Sequence, residues 1–183
     1  MARSARKPGS RSLTVYAPAS IGNLSVGFDA LGLALAPLDG TLLGDLVQVT
    51  PVAAGDAGSG WRLKVDGPFA KDLPPDPEDN IVMACCRAYQ RAAAEAGHDI
   101  APLKATLEKR LPIGSGLGSS ASSIVAALEA LNRWHAHLLP PQQLFGLMAQ
   151  QEGSISGEVD LDNVAPCLYG GLRLCPPGSQ QEY

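Results

Sequence analysis

The chain has 183 residues, of which 45% are hydrophobic and 17% are charged, and its formal net charge is -4. Such a composition is typical of a globular protein with one domain and a sizeable core. The acidic balance argues against a general nucleic-acid or membrane-surface binder, and no apolar run reaches the ~18 residues that span a bilayer.

The first eleven residues carry four basic side chains, Arg3, Arg6, Lys7 and Arg11, among Ser, Gly and Pro. A nucleic-acid tail or a targeting signal could have this composition, but the apolar core of a secretory signal is missing. We expect residues 1–12 to form a disordered basic arm, and we expect the protein to be cytoplasmic. The four cysteines form no CxxC pair, so buried thiols are expected instead of a zinc site.

The N-terminal half contains mainly strand patterns, in which apolar and polar residues alternate. Strands are predicted over residues 12–20, 44–52 and 61–67, with a further extended piece over residues 33–40. The stretch 71–80 is rich in proline and acidic residues, which indicates an irregular surface loop.

The C-terminal half contains mainly helix patterns. Asp79 or Asn80 can cap a helix that ends at Gly97, and the other predicted helices cover residues 119–134 and 140–153, with a strand over 103–111. From Asn163 onwards we predict an extended segment that stops at the last prolines. Grouped strands with two or three covering helices indicate an α+β fold.

The segment LPIGSGLGSSASS, residues 111–123, lies between a predicted strand and a predicted helix. The first N–H groups of a helix are unpaired and partly positive, so they bind phosphate well. Glycines let the backbone approach an anion without an intervening Cβ, and the hydroxyls of Ser119, Ser120 and Ser122 could contact phosphate oxygens or Mg²⁺. The segment lacks the Walker A pattern, and its loose GxGxxG match is weak. A phosphate-binding loop and a small-residue packing loop both remain open.

Four acidic residues lie close together in the sequence: Glu152, Glu158, Asp160 and Asp162. They could hold a metal, take part in proton transfer, or simply solvate a loop. A neighbouring phosphate loop favours the metal, because nucleotide-bound Mg²⁺ usually takes one or two protein carboxylates.

The segment APASIGNLSVGFD, residues 17–29, begins at the end of the first predicted strand and continues into a loop rich in turn residues. Ligand contacts often lie in such loops, which makes Asn23 and Asp29 candidates. Turn formation by their side chains also accounts for both residues.

Three separated motifs resemble, in this order, those of the homoserine kinases, which belong to the GHMP small-molecule kinase family. They are VYAPASIGNLSVGFDALGLAL, PIGSGLGSSAS and DNVAPCLYGG, and the similarity covers about residues 13–174. The resemblance implies the family's N-terminal domain over residues 13–176, followed by a tail at 177–183. The implied fold, shared with a ribosomal protein domain, is a mixed sheet with helices on one side and a left-handed βαβ crossover. The family's C-terminal domain is expected to be absent.

The resemblance also implies ATP-dependent, Mg²⁺-assisted phosphorylation of L-homoserine to O-phospho-L-homoserine, in threonine biosynthesis. Asn80 would lie near the adenosine. The loop would wrap the ATP phosphates with Pro112, Ile113, Gly114, Ser115, Gly116, Leu117, Gly118, Ser119, Ser120, Ala121 and Ser122.

The remaining roles implied by the resemblance concern the metal, the substrate and catalysis. Ser120 and Glu152 would hold Mg²⁺, and Asn23 and Asp29 would contact homoserine. Asn163 stands where mevalonate-type relatives carry a catalytic Asp, so catalysis would rest on positioning and charge stabilisation. The candidate catalytic residues are therefore Asn163, Ser120 and Glu152.

Two departures from the family pattern affect these expectations. Asp160 stands where the family usually has His, although a carboxylate could still hydrogen-bond the substrate. Without the C-terminal half, part of the substrate clamp would be missing, so we expect greatly reduced activity. The alternative is a fragment that binds nucleotide without turnover. These kinases are commonly dimers, and no nucleic-acid or membrane partner is expected.

Overall fold

The computed structural model describes residues 12–24, 30–52, 60–157 and 161–176. Most of the predicted basic arm and the tail lie outside these ranges. Within them the chain forms, in order, β1 (Leu13–Pro18), β2 (Ser20–Ile21), β3 (Leu31–Ala34), β4 (Gly44–Pro51), β5 (Arg62–Asp66), α1 (Ile81–Glu95), β6 (Leu103–Glu108), α2 (Ser119–Trp134), α3 (Pro141–Ser156), α4 (Leu161–Tyr169) and β7 (Leu172–Leu174).

The described strands form two sheets. The larger has the order β1-β4-β6-β5 and is mixed, because β5 and β6 run parallel while the other neighbours run antiparallel. Parallel neighbours need a long crossover connection, and α1 lies within it. The smaller sheet, β2-β3-β7, is antiparallel throughout. The predicted α+β fold with a mixed sheet is confirmed.

Helix α2 lies at the centre of the core. Twelve of its sixteen residues are buried, which is the pattern of a helix covered on nearly all sides. It packs against β1 and β4 of the larger sheet and also contacts α1, α3 and α4. Its N-terminus is therefore held in place by the whole core, and this is where the Gly/Ser segment joins it.

Local sequence signals predicted three of the four α-helices in the described part of the chain. Helix α2 has the predicted bounds, and α3 runs three residues beyond its predicted end. Helix α1 begins after Asn80, whose Oδ1 accepts a hydrogen bond from the N–H of Val82 at 2.9 Å. A side chain that pairs one of the unpaired N–H groups fixes where a helix starts.

The extended segment predicted from Asn163 onwards is wrong as far as Tyr169, because these residues belong to α4, a further helix. The buried positions Leu161, Val164 and Ala165 follow helical spacing. Pro166 removes the N–H that would normally pair with the carbonyl of Asp162. That carbonyl oxygen instead lies against Gly32 of β3, where an added Cβ would overlap it. None of the described helices is long and apolar enough to cross a membrane.

Candidate active site

The three sequence motifs meet around one cavity of about 890 Å³. Pockets of this size can hold a cofactor together with a small substrate. The predicted site residues that line it are Asn23, Asn80, Ile113, Gly114, Ser115, Gly116, Gly118, Ser119, Ser120, Glu152 and Asn163. Asp29 and Asp160 lie outside the described residues.

The Gly/Ser loop has the backbone geometry of an anion cradle. Gly114, Gly116 and Gly118 have φ values of 67°, 72° and 59°, in the left-handed region that glycine adopts without strain. A Cβ at Gly114 or Gly116 would meet no atom within 4 Å. Gly118 is the N-cap of α2 and has no side chain that could pair the first N–H groups of the helix. These groups are left for a ligand.

Gly118 is also needed for the close approach of the loop to the rest of the site. A Cβ there would overlap Ser20 Oγ and lie 3.0 Å from Asn163 Oδ1. The N–H of Ser20 donates to the carbonyl of Leu117 at 3.1 Å, which joins β2 to the loop. The loop therefore lies directly against Asn163.

Ser120 and Glu152 form a pair of oxygen donors at the cavity. The Ser120 hydroxyl donates to Glu152 Oε1 at 2.7 Å, and Glu152 is 8% exposed. Magnesium prefers oxygen ligands and, beside a nucleotide, needs only one or two from the protein. The donor set therefore fits the predicted Mg²⁺ ligands. Among the described residues there is no group of three His, Cys, Asp or Glu that could hold a metal.

The Asn163 side chain is held in place by hydrogen bonds. The Ser20 hydroxyl donates to its Oδ1 at 2.9 Å, and its Nδ2 donates to Asp162 Oδ1 at 3.3 Å. The Cys167 thiol donates to the carbonyl of Pro18 at 3.1 Å and lies 3.4 Å from Ser20 Oγ. Burial raises the pKa of Cys167 to about 12, so the thiol stays protonated and keeps this donor role at neutral pH.

Asp162 is 1% exposed and accepts a hydrogen bond from the N–H of Asn23 at 2.7 Å. The interpretation of the acidic group as a solvated loop is therefore wrong for Asp162. The bond joins two predicted site motifs, because Asn23 belongs to the first and Asp162 to the third. Glu158, like Asp160, lies outside the described part of the chain.

A comparison with known protein families identifies the family of this domain. The family description "GHMP kinases N terminal domain" matches residues 80–171. This chain belongs to the GHMP kinases.

Solved structures of several GHMP kinases resemble this domain. A homoserine kinase from Cytophaga hutchinsonii is 33% identical with a TM-score of 0.74, and the match covers 95% of this chain and 50% of that one. A putative homoserine kinase from Listeria monocytogenes is 23% identical (TM-score 0.59, covering 93% and 52%). A mevalonate kinase from Methanococcus jannaschii is 13% identical (TM-score 0.66, covering 97% and 56%). The similarity to the last two structures shows the fold of this chain alone. The chain spans about half the length of these structures.

One predicted phosphate contact of this GHMP kinase domain does not fit the structure. Ser122 is fully buried, and its hydroxyl donates to the carbonyl of Ala17 at 2.8 Å and accepts from the N–H of Asp45 at 2.9 Å. The residue lies on the side of α2 that packs against β1 and β4. Its hydroxyl ties the helix to the sheet and does not face the cavity. Pro112, Leu117 and Ala121 also contribute no lining atoms.

Asn80 has a second polar atom besides its helix-capping oxygen. Asn80 is 1% exposed and lines the cavity, and its Nδ2 has no hydrogen-bond partner among the described residues. A buried donor without a partner costs free energy unless a ligand or water satisfies it. The residues beside it in the chain that also line the cavity are the acidic Glu78 and Asp79 and the apolar Ile81 and Ala84. A flat heterocycle with ring acceptors fits this end of the cavity.

Sequence reasoning missed a buried ion pair between Lys109 and Asp45. Their side chains are 2% and 0% exposed, and Lys109 also lines the cavity. Burial lowers the pKa of Lys109, an effect that the Asp45 carboxylate counteracts. The strand alternation contained the signal, because Leu103, Ala105 and Leu107 are buried and Lys109 continues the series.

Proposed function

We propose that this GHMP kinase domain binds ATP with Mg²⁺ and that its function is the phosphorylation of the L-homoserine hydroxyl, which yields ADP and O-phospho-L-homoserine. The observation that carries the proposal is the shared cavity, in which the uncapped N-terminus of α2, the Ser120–Glu152 pair and Asn163 lie together. The substrate class is supported by the three sequence motifs and by 33% identity to a solved homoserine kinase.

The ATP phosphates would lie on the loop from Ile113 to Gly118 and at the start of α2. Backbone N–H groups and the helix dipole stabilise negative charge there. The adenine would lie at the end of the cavity that contains Asn80, whose Nδ2 can donate to a ring nitrogen. Ser120 and Glu152 would hold Mg²⁺, which neutralises charge on the phosphates during transfer.

Asn163 cannot act as a general base, because an amide has no lone pair basic enough to accept the substrate proton. Its Oδ1 accepts from Ser20, and the resulting fixed orientation suits a residue that positions the substrate hydroxyl. Phosphoryl transfer needs little assistance from a base because its transition state is loose, and positioning and charge stabilisation dominate. Asn23 lines the same cavity and is proposed to contact homoserine, as are Asp29 and Asp160.

The test is incubation of the 183-residue chain with MgATP and L-homoserine, with ADP release followed by a coupled assay and the product by mass spectrometry. Mevalonate and L-serine, which is one methylene shorter, serve as comparison substrates. We expect O-phospho-L-homoserine at a rate well below the roughly 1–1000 per second of ordinary enzymes. Phosphorylation of mevalonate in preference to homoserine would contradict the proposed substrate.

The second candidate is a domain that binds nucleotide without measurable turnover. The chain spans about half the length of the solved kinases that it matches, so nucleotide binding and turnover by this stretch of chain are tested separately. Isothermal titration calorimetry distinguishes the two. Binding of MgATP with no product would support the second candidate, and absence of MgATP binding would contradict both.

A further inference from the structure

The phosphate loop is anchored at both ends by one buried ion pair to which neither the family motifs nor the proposed chemistry gives a role. Lys109 Nζ lies 2.5 Å from Asp45 Oδ2. Lys109 lies two residues before the start of the loop segment at Leu111, and Asp45 lies on strand β4, which neighbours β6. The loop that separates them from α2 is rich in glycine and serine, so its own sequence provides little rigidity.

The carboxylate of Asp45 holds the entry to the loop. Its Oδ1 accepts hydrogen bonds from the N–H groups of Arg110 at 2.8 Å and Leu111 at 3.1 Å. Its Oδ2 accepts from the Ser123 hydroxyl at 2.6 Å, in addition to Lys109. Hydrogen bonds to an ionised acceptor are about twice as strong as neutral ones.

The ammonium of Lys109 holds the exit from the loop. It donates to the carbonyl of Ser119 at 2.8 Å and to the hydroxyl of Ser123 at 2.9 Å. Both acceptors belong to the first turns of α2. The two charged side chains therefore connect β4 and the end of β6 to the helix N-terminus at which the phosphate is proposed to bind.

An ammonium group has three N–H donors and no acceptor. Asp45, Ser119 and Ser123 take all three. Lys109 lines the cavity, but it could donate to a phosphate only by giving up one of these bonds. These contacts indicate that Lys109 affects nucleotide binding indirectly, by holding the loop in place, and does not contact the phosphate itself.

We infer that Lys109 and Asp45 are positioning residues that hold the phosphate loop in its binding geometry before the nucleotide arrives. This inference rests on the proposed function for the identity of the ligand. Preforming the loop lowers the ordering cost of binding, so losing the pair weakens the affinity for MgATP even in a chain that remains folded.

The test uses the double variant Lys109→Met with Asp45→Asn in the 183-residue chain. Changing Lys109 alone would leave a buried carboxylate unpaired and could prevent folding, whereas removing both charges is often tolerated. The amide of Asp45→Asn would keep an oxygen for the N–H groups of Arg110 and Leu111, so the change acts mainly on the exit from the loop. The matched control is Lys64→Met with Asp66→Asn, an exposed ion pair whose two side chains are 58% and 63% exposed.

Two quantities are measured, the ¹⁵N-relaxation order parameters of the loop amides from Gly114 to Gly118 and the dissociation constant for MgATP. In the double variant we expect the order parameters to fall from about 0.85 to below about 0.6. The dissociation constant should rise about tenfold, as expected for the loss of one or two hydrogen bonds. The control pair should match the wild type in both quantities.

A folded double variant with wild-type order parameters and wild-type affinity would overturn the inference. If the double variant does not fold, Asp45→Asn alone takes its place, because it removes the charge of one partner of the ion pair while keeping the size of the side chain. Unchanged loop order parameters in that variant would equally overturn the inference. If the wild type does not bind MgATP, the proposed function fails, and the order parameters alone decide whether the pair positions the loop.

Discussion

The hydroxyl of Ser20 donates a hydrogen bond to Oδ1 of Asn163 at 2.9 Å and so joins two residues that lie 143 positions apart. The first comes from the motif after β1 and the second from α4. The bond fixes which end of the Asn163 amide accepts and which donates. The same serine contacts the loop through its backbone N–H, so three motifs converge on one residue.

Replacing Ser20 by Ala should uncouple Asn163 from this support. We expect the rate of homoserine phosphorylation to fall about tenfold, the cost of roughly one buried hydrogen bond, while the affinity for MgATP stays near that of the wild type. The ¹H–¹⁵N signal of the Asn163 side-chain amide should shift, which gives a readout independent of turnover. Ser12→Ala, at an exposed serine, serves as the control. An unchanged rate and an unchanged amide signal would show that Ser20 has no influence on the site.

Replacing Gly118 by Ala should abolish most nucleotide binding. The new Cβ would overlap the Ser20 hydroxyl and crowd Asn163, in addition to the strain of a left-handed conformation. Calorimetry should show the MgATP affinity reduced by more than about tenfold, because a close approach cannot relax without moving the loop. Gly40→Ala is the matched control, since Gly40 also has a positive φ of 74° but open space around its Cα. Equal effects of the two substitutions would show that only backbone strain matters.

Replacing Glu152 by Gln should weaken the binding of the metal–nucleotide complex. The change keeps the size of the side chain and an acceptor for the Ser120 hydroxyl but removes the negative charge that a divalent cation needs. We expect the affinity for MgATP to fall by about tenfold or more, while the affinity for ATP measured with EDTA stays the same or rises. Glu95→Gln, at the exposed end of α1, should leave both affinities unchanged. Equal losses with and without Mg²⁺ would argue that Glu152 does not contact the metal.

His135 should make stability depend on pH. Burial lowers its pKa, its Nε2 has no hydrogen-bond partner among the described residues, and its ring stacks on Tyr89 with centroids 5.8 Å apart. Because the unfolded chain has the higher His pKa, near 6.5, it takes up the proton first as the pH falls. The free energy of unfolding should therefore be fully retained above about pH 6.5 and decrease below it, towards the lower pKa of the folded state.

Urea unfolding at pH 7.5 and pH 5.5 measures this dependence. His135→Phe keeps a ring against Tyr89 and should reduce the difference between the two pH values. His98→Gln, at an exposed position, should leave the difference as it is in the wild type. If the difference persists in full in the Phe variant, other groups cause it.

The elements that could be predicted from the sequence are those whose signals are local. Helices α1 and α2 have long periodic patterns, and Asn80 marks the start of the first. Helix α4 was missed because it is short and contains Pro166, and because Gly32, on a distant strand, makes room for the carbonyl that the proline leaves unpaired. The sequence around Pro166 does not show that a distant glycine makes room for this carbonyl.

The features of the candidate site also divide into those that the sequence predicted and those that depend on packing. The Gly/Ser spacing predicted a glycine-rich loop at the start of α2, and the family resemblance implied that Ser120 lies beside Glu152. The direction of the Ser122 hydroxyl depends on which face of α2 meets the sheet, and the partner of Lys109 lies 64 residues away on another strand. Such contacts follow from packing, which a one-dimensional pattern does not specify.

The start of α2 at Gly118 has a thermodynamic consequence. At an ordinary N-cap a Ser, Asp or Asn stabilises a helix by only a few tenths of a kcal/mol relative to Gly, and the chain forgoes that small contribution at Gly118, where the first N–H groups stay open. An anion that occupies them binds only the folded state, so it raises the free energy of unfolding in proportion to the logarithm of its concentration. The melting temperature of this domain should therefore rise as the concentration of the bound anion rises.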